Sequence, residues 1–446
     1  MRNTNSRVQK NLLIVILLML AGPLGHAQSA TDGPAKPAVR AAGATSIEDL
    51  NFRGGDAVMP PFAESVIDVN SAYRRGLASK GVALRLIQQL QYAQNTLDAP
   101  VAADEQVYVG QRQFAGDMYH LILTADLRQL GLKHAQFYGS GVWNWVSWRP
   151  AGPKVLDIWD LLVYKEFGKD RVEVKAGYVS NSLEFVGLMV GGSTASGAQG
   201  VYAVLPYELG MSYFPMATPS LNVKVNGPGR WYVKGAGQRS LDAAGGPASE
   251  ARNHTGFRFA PKGDKLFTVE EAGWNRPASA TVHEAWFRAG YMRNSTPYTN
   301  FRNSKKESGN DGSFVLADYQ LTQPDIAAPA QGWYVGASAM RAASRFTAFD
   351  RYYEARAYDM APFRSRPADM ISVVASYTGH SKYLTDSLVA AGKTVWRDGA
   401  SLTGSYTLHV RRGQIASIGL SYIRGAAITP RVDNALTFAT SYTVFF

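Results

Sequence analysis

The chain has 446 residues, with 46 Lys and Arg against 35 Asp and Glu, a formal charge of +11. It contains no cysteine, which excludes thiolate metal sites, disulfides and a cysteine nucleophile. A mean hydropathy of −0.17, and no internal apolar run near the ~20 residues a spanning helix needs, exclude a bundle of membrane helices.

Met1 to Ala27 reads as a cleavable secretory signal. Arg2, Arg7 and Lys10 supply the positive start, Leu12 to Ala21 the apolar run, and Gly25 and Ala27 the small residues at the cleavage site. Removing it lowers the formal charge from +11 to +8. Nucleic acid is not expected as a partner of an exported chain, so the excess points to lipopolysaccharide or to an anion-attracting channel. Residues 28–65, rich in Ala, Gly, Pro and Ser and without periodicity, predict a flexible lead-in. A short helix is expected over 66–81, with Val66, Val69, Tyr73 and Leu77 at helical spacing and Gly81 as the stop. It would pack on or inside a barrel mouth, or lie on the surface.

From Val82 the period becomes two. Val82, Leu84, Leu86, Leu90 and Tyr92 share one face, and Arg85, Gln89 and Gln91 share the other. Tyr119, Leu121 and Leu123 oppose His120, Thr124 and Asp126. Further alternating runs put Val172, Val174 and Tyr178 opposite Arg171, Glu173 and Lys175, and Leu221 and Val223 opposite Asn222 and Lys224. In the last run Phe446, Val444, Tyr442, Thr440, Phe438 and Leu436 form an apolar face, and the residues between them are small and hydroxylated. A sandwich core strand could look the same. Aromatic residues recur near strand ends, however: Trp143, Trp145, Trp148, Trp231, Tyr232, Trp333 and Tyr334. That girdle favours strands with lipid on one side and a wet lumen on the other.

The reading is therefore an all-β chain, a transmembrane antiparallel β-barrel over 82–446 with a short N-terminal helix. At ~10 residues per strand plus a connection, the length gives sixteen strands, with eighteen as the alternative. Gly187–Gly200, Gln238–Gly256, Asn294–Gly312 and Ala342–Arg366 are expected to be extracellular loops, and Gly131–Lys133 and Gly168–Asp170 periplasmic turns. Asp311-Gly312 and Asp398 read as turn residues.

Several segments, in order, resemble the carbohydrate-selective porins of the OprB family. Ala72-Tyr-Arg-Arg-Gly-Leu-Ala-Ser-Lys-Gly-Val82 looks like that family's entry from helix to strand, and Gly177-Tyr-Val-Ser-Asn-Ser-Leu-Glu-Phe185 like its G-x6-E-F stretch. Tyr213 to Leu221, Gly229 to Ala236, Arg366-Pro-Ala-Asp369 and the run from Asn434 to Phe446 continue the likeness. Ser401 to Tyr406 departs from it by lacking the expected acidic residues, and Ala243 to Tyr298 aligns poorly. The resemblance implies passive, sugar-selective diffusion through an outer-membrane pore with an arginine-containing constriction.

Such a pore needs donors and acceptors along a narrow waist, because each sugar hydroxyl that leaves water must find a partner. The candidates for the lumen are Arg85, Gln89, Gln91, His120, Asp126, Arg171, Glu173, Lys175, Asn222 and Lys224. Each could instead be a buried ion pair filling the wall. Phe446, Val444 and Tyr442 are candidates for the assembly signal read by the barrel-assembly machinery. The other expected partners are small carbohydrates, outer-membrane lipid and lipopolysaccharide, with oligomers possible and nucleic acid not expected. No cofactor or metal is expected, since the six histidines outside the signal show no ligand spacing. An anion or organic-acid channel, or a general diffusion pore, is the alternative. An outer-membrane lipase or protease is a remoter one, since no nucleophile motif accompanies the histidines.

Overall fold

The computed structural model describes residues 46–446 apart from 56–58, 98–101, 103–105, 107–108, 149–155, 187–203, 214, 426–427 and 430–433. The expected signal peptide, the first part of the lead-in and the Gly187–Gly200 loop lie outside the described residues. Sixteen antiparallel strands close into one barrel. They are β1 (Val82–Asn95), β2 (Phe114–Asp126), β3 (Ala135–Val146), β4 (Leu156–Phe167), β5 (Val172–Val179), β6 (Thr218–Asn226), β7 (Trp231–Arg239) and β8 (Leu266–Arg276). The second half is β9 (Ala285–Asn294), β10 (Asn310–Gln320), β11 (Gly332–Ala342), β12 (Phe349–Met360), β13 (Met370–His380), β14 (Asp398–Arg411), β15 (Gln414–Arg424) and β16 (Asn434–Phe445). Each strand pairs with its neighbours in the chain. The first and last close the ring, with Ile87 opposite Phe445 and Gln91 opposite Ser441. Closure satisfies every strand edge, as strands in hydrocarbon require.

Period-two alternation sorts the wall. On β16 the odd-numbered residues face inward, with Phe445 buried, while Leu436, Phe438, Tyr442 and Val444 face outward as expected. Leu121, Val163, Leu221, Val233, Val315, Val373, Leu402 and Ile418 are exposed on the outer face, where lipid would cover them. The two Trp-Tyr pairs correct the expected girdle. Trp231 and Trp333 are exposed, but their neighbours Tyr232 and Tyr334 are buried in the interior. Adjacent strand residues must point to opposite faces, so only one of each pair can join the girdle.

Connections at one end run from two residues (412–413) to eleven (321–331), whereas those at the other reach 38 (180–217) and 26 (240–265). The first set is the periplasmic end and the second the extracellular end. Gly131–Lys133 and Gly168–Asp170 fall in the short set, as expected. Ala342–Arg366 does not form one loop, because it contains the whole of β12. That strand carries Arg351, Tyr353, Ala355, Ala357 and Asp359 on its outer face and charged Glu354 and Arg356 between tyrosines on its inner face, so it lacks the apolar stripe that marks the other strands. Likewise Asp311-Gly312 lies inside β10 and Asp398 opens β14.

The described part of the lead-in is packed. Leu50, Phe62, Ala78 and Ala83 form one small buried cluster, and Phe52 stacks on Tyr138 of the inner wall with ring centroids 4.3 Å apart. The helix, α1, is shorter than expected, Ala72–Ala78, because Ser71 caps it by accepting from the Arg74 N–H. It buries Arg74 and Ala78 and leaves Tyr73 exposed, while Val69 just before it packs on the cluster and Leu77 is half-buried, so the expected face is buried only in part. The Arg74 guanidinium decides the orientation, donating to the carbonyls of Phe62 and Ile67 while lying over the Phe62 ring. The segment enters past the β14–β15 turn, where Val66 N–H bonds to Phe445 O at 2.9 Å. A Cβ on Gly413, whose φ is +72°, would stand 2.5 Å from that Val66 nitrogen, so the turn needs glycine.

Candidate pore

Two inserted segments narrow the lumen from opposite ends. From the periplasmic end, residues 46–55 lie along the inner faces of β1–β4. Thr124 Oγ1 donates to Leu50 O at 2.7 Å, and Gln136 Oε1 accepts from Arg53 N–H at 3.0 Å. Arg85 donates to Asn51 at 3.0 Å and lies 4.2 Å over the Phe62 ring. Arg53 reaches Glu166 at 3.9 Å.

From the extracellular end, the described parts of the 180–217 connection fold inward. A short helix, α2 (Asn181–Phe185), is held by side chains of the wall. Asn181 bonds Ser220, Gln238 and Asn222 within 3.0 Å. Lys175 pairs with Glu184, Lys234 donates to the Glu184 carbonyl, and Arg288 donates to Phe185 O at 3.2 Å. A second short helix, α3 (Val204–Glu208), follows. Phe185, Leu205, Leu209 and Met211 bury themselves against Phe267, Met292, Phe314, Met340 and Tyr352 on the inner faces of β8–β12. This greasy inner wall explains why the connection stays in the lumen. Burial of four such side chains is worth roughly 1.5–3 kcal/mol each. Packing pushes the Glu208 carboxyl up to about 8, against the opposing hydrogen bond from Phe349 N–H.

The inner wall beside this insert holds charges that are paired among themselves. Arg356 makes a two-pronged contact with Asp318 at 2.8 and 2.7 Å and a third with Glu354 at 2.8 Å. Lys234 lies 3.2 Å from Glu271. Above the periplasmic rim Tyr334 and Tyr358 stack at 5.1 Å, and Trp286 donates to Tyr232.

The last four strands differ. Their inner face is a ladder of hydroxyls: Ser372 with Ser405 at 2.8 Å, Ser376 with Ser401 at 2.7 Å, Thr403 with Ser421 at 2.6 Å and Ser417 with Ser441 at 2.6 Å. Ser401, Ser405, Ser417, Gly419, Ala439, Ser441 and, across the seam, Gln91 are half-exposed although they face inward. Side chains here are small and, among the described residues, no inserted segment covers them, so these residues leave an open path along β13–β16 and β1.

Of the sequence candidates, Arg85, Gln89, Gln91, His120, Glu173, Lys175, Asn222 and Lys224 lie on the inner face. Arg85, Lys175 and Asn222 hold inserted segments. His120 stacks on Trp159 at 4.1 Å, Glu173 accepts from Asn226 at 2.8 Å, and Lys224 lies 5.0 Å over the Tyr232 ring. Gln91 donates to Gln89 at 2.9 Å beside the open path. Asp126 and Arg171 sit instead at the periplasmic rim. Asp126 caps a turn and pairs with Arg128, and Arg171 is exposed next to a turn. Sequence reading missed Asp318, Glu354, Arg356, Lys234, Glu271, Arg288 and the hydroxyl ladder. The alternation of Glu354 and Arg356 with Ala355 and Ala357 was the available signal for β12.

The model of the carbohydrate-selective porin, OprB family, matches residues 88–446. Among solved structures, the high-pH form of Pseudomonas putida OprB superposes with a TM-score of 0.70 at 17% identity, covering 84% of this chain and 96% of that one. The low-pH form of the same protein gives 0.54 at 15% identity, with 86% and 98% covered. No curated protein sequence matches the chain. The solved structures bear on the fold, and the family match covers most of the chain. The chain belongs to the OprB family of carbohydrate-selective porins of the Gram-negative outer membrane.

Proposed function

We propose that sugars cross passively along the hydroxyl ladder of β13–β16, with the inserted segments setting the width opposite it. The observation that supports this is the contrast between the two halves of the lumen. Inner cations Lys175, Lys234 and Arg356 each have a carboxylate partner, which mutes the field a small anion would follow. The half-exposed serines offer neutral donors and acceptors on a rigid wall. A sugar hydroxyl leaving water can exchange into these pairs, and at ~0.5–1.5 kcal/mol net per hydrogen bond the hold stays weak enough for release. This favours neutral sugars over the organic-acid reading, and a channel over a barrel enzyme.

The finer assignments belong to the same proposal. Residues 1–27 direct export and are removed. Val444 and Tyr442 on the outer face of the last strand, with Phe446 just past its end, present the assembly signal, and small carbohydrates are the cargo. The test is single-channel conductance of a Ser417→Leu, Ser441→Leu double variant. We expect a drop of severalfold and loss of current block by added glucose. Unchanged conductance and block would place the path elsewhere.

A further inference from the structure

Near the extracellular rim the outer face of the barrel carries arginines where the rest of the wall carries apolar side chains. Arg293 on β9, Arg341 on β11 and Arg351 on β12 each alternate with fully buried inner residues, Met292, Met340 and Tyr352, and so point outward. Arg341 and Arg351 are directly opposite one another in the ladder. Their Cβ atoms are thus about 5 Å apart, and like charges so placed destabilise a sheet unless an anion sits between them. Two carboxylates lie nearby. Asp311 is opposite Arg293 and accepts from the Tyr291 hydroxyl at 3.1 Å, and Asp350 is 3.5 Å from Arg351. Three cations against two acids leave an excess. Elsewhere at this rim arginines and acids balance, Arg424 with Asp398 at 2.6 Å, and Arg239 and Arg252 together with Asp264 and Asp242.

We propose that Arg293, Arg341 and Arg351 form a binding site for the phosphate groups of lipid A in the outer leaflet. Guanidinium forks match phosphate oxygens two at a time, and the contact is stronger near hydrocarbon than in water. The position selects a lipid over a dissolved anion. The three side chains emerge from the lipid-facing wall just below the loops, and exposed Val315 and Tyr353 continue the same face toward the periplasm, where acyl chains would lie. The site goes beyond the transport reading, since none of these side chains faces the lumen.

The test is native mass spectrometry of the purified barrel with diphosphoryl lipid A, chemically dephosphorylated lipid A, and inorganic pyrophosphate as competitor. The wild type is expected to retain diphosphoryl lipid A at least tenfold more strongly than the dephosphorylated form, with pyrophosphate at equal concentration failing to displace it. Arg341→Gln with Arg351→Gln should lose the adduct tenfold or more, Arg341→Lys with Arg351→Lys should keep most of it, and Arg424→Gln should change nothing. Should the double glutamine variant not fold, Arg293→Gln alone is expected to weaken the adduct about threefold. Equal retention by the glutamine variants, equal binding of dephosphorylated lipid, or displacement by pyrophosphate would overturn the assignment. Sugar uptake by the same variants should stay at the wild-type rate, which separates failure of this site from failure of the channel reading.

Discussion

Replacing Arg356 with methionine should destabilise the barrel far more than an ordinary wall substitution. The guanidinium makes five hydrogen bonds, two to Asp318, one each to Glu354 and Ser338, and one to the Ala317 carbonyl. All three charged side chains are essentially closed to water, with exposures of 0%, 1% and 0% for Arg356, Asp318 and Glu354. Methionine fills a similar volume but leaves two buried carboxylates facing each other without a cation. Breaking a buried pair from one side costs about 3–5 kcal/mol, while replacing the whole group with neutral residues is often neutral or stabilising. With a denaturant slope of about 2 kcal/mol/M, that loss moves the urea midpoint down by roughly 1.5–2.5 M. The assay is urea titration of the protein folded into phospholipid vesicles, read by the gel mobility difference between folded and heated barrels. Arg356→Met combined with Asp318→Asn and Glu354→Gln should recover most of the loss. A shift below about 0.5 M for the single variant, or no recovery in the triple, would refute the reasoning that the cluster is an interdependent buried group.

Glu208 should make docking of the inserted connection pH-dependent. Its folded carboxyl sits at about 8 through burial, above the ordinary value of 4.5, so the docked state holds a proton the undocked state has shed. Docking is therefore full below about pH 4.5 and weakens as pH rises toward about 8. Hydrogen exchange over 205–211, corrected for intrinsic rates, should accelerate across that window, and Glu208→Gln should flatten the dependence. Asp369→Asn should loosen the periplasmic rim. Burial alone would raise the Asp369 carboxyl, but Arg366, the Tyr406 hydroxyl and the His409 N–H outweigh it and hold it below its ordinary value. The loss is expected at about 1–3 kcal/mol. Thermal scans should show a lower midpoint above about pH 4, and the difference from wild type should vanish in acid as the native carboxyl protonates.

Alternation made the wall legible, because period two reports which side of the barrel each residue occupies. Arg85, Lys175 and Asn222 could be placed on the inner face for that reason, and the terminal strand could be assigned its lipid side. Period two does not report what lies across the lumen. Arg356 finds Asp318 through register between strands 38 residues apart in the chain, and Lys175 meets Glu184 only because the connection after β5 turns inward. β12 escaped notice for a related reason. Alanines on its outer face satisfy the lipid without announcing a hydrophobic stripe. The hydroxyl ladder was visible in the last strand as a small wet face, but its continuation through Ser372, Ser376, Ser401 and Ser405 needed the paired register of β13 and β14. The N-terminal segment looked unstructured because its Ala, Gly and Pro content carries no period. Its described part is ordered by a few anchors, Leu50, Phe52 and Phe62, fitted to a wall built elsewhere in the chain.

Liposome swelling is the most direct test of sugar selectivity in this chain. Vesicles carrying the purified barrel would be exposed to glucose, larger sugars and amino acids of glucose size. The account predicts faster entry of glucose than of the size-matched amino acids, with rates falling as the sugar grows. Equal rates for all solutes of one size would contradict it, leaving a sieve whose hydroxyl wall contributes no selectivity.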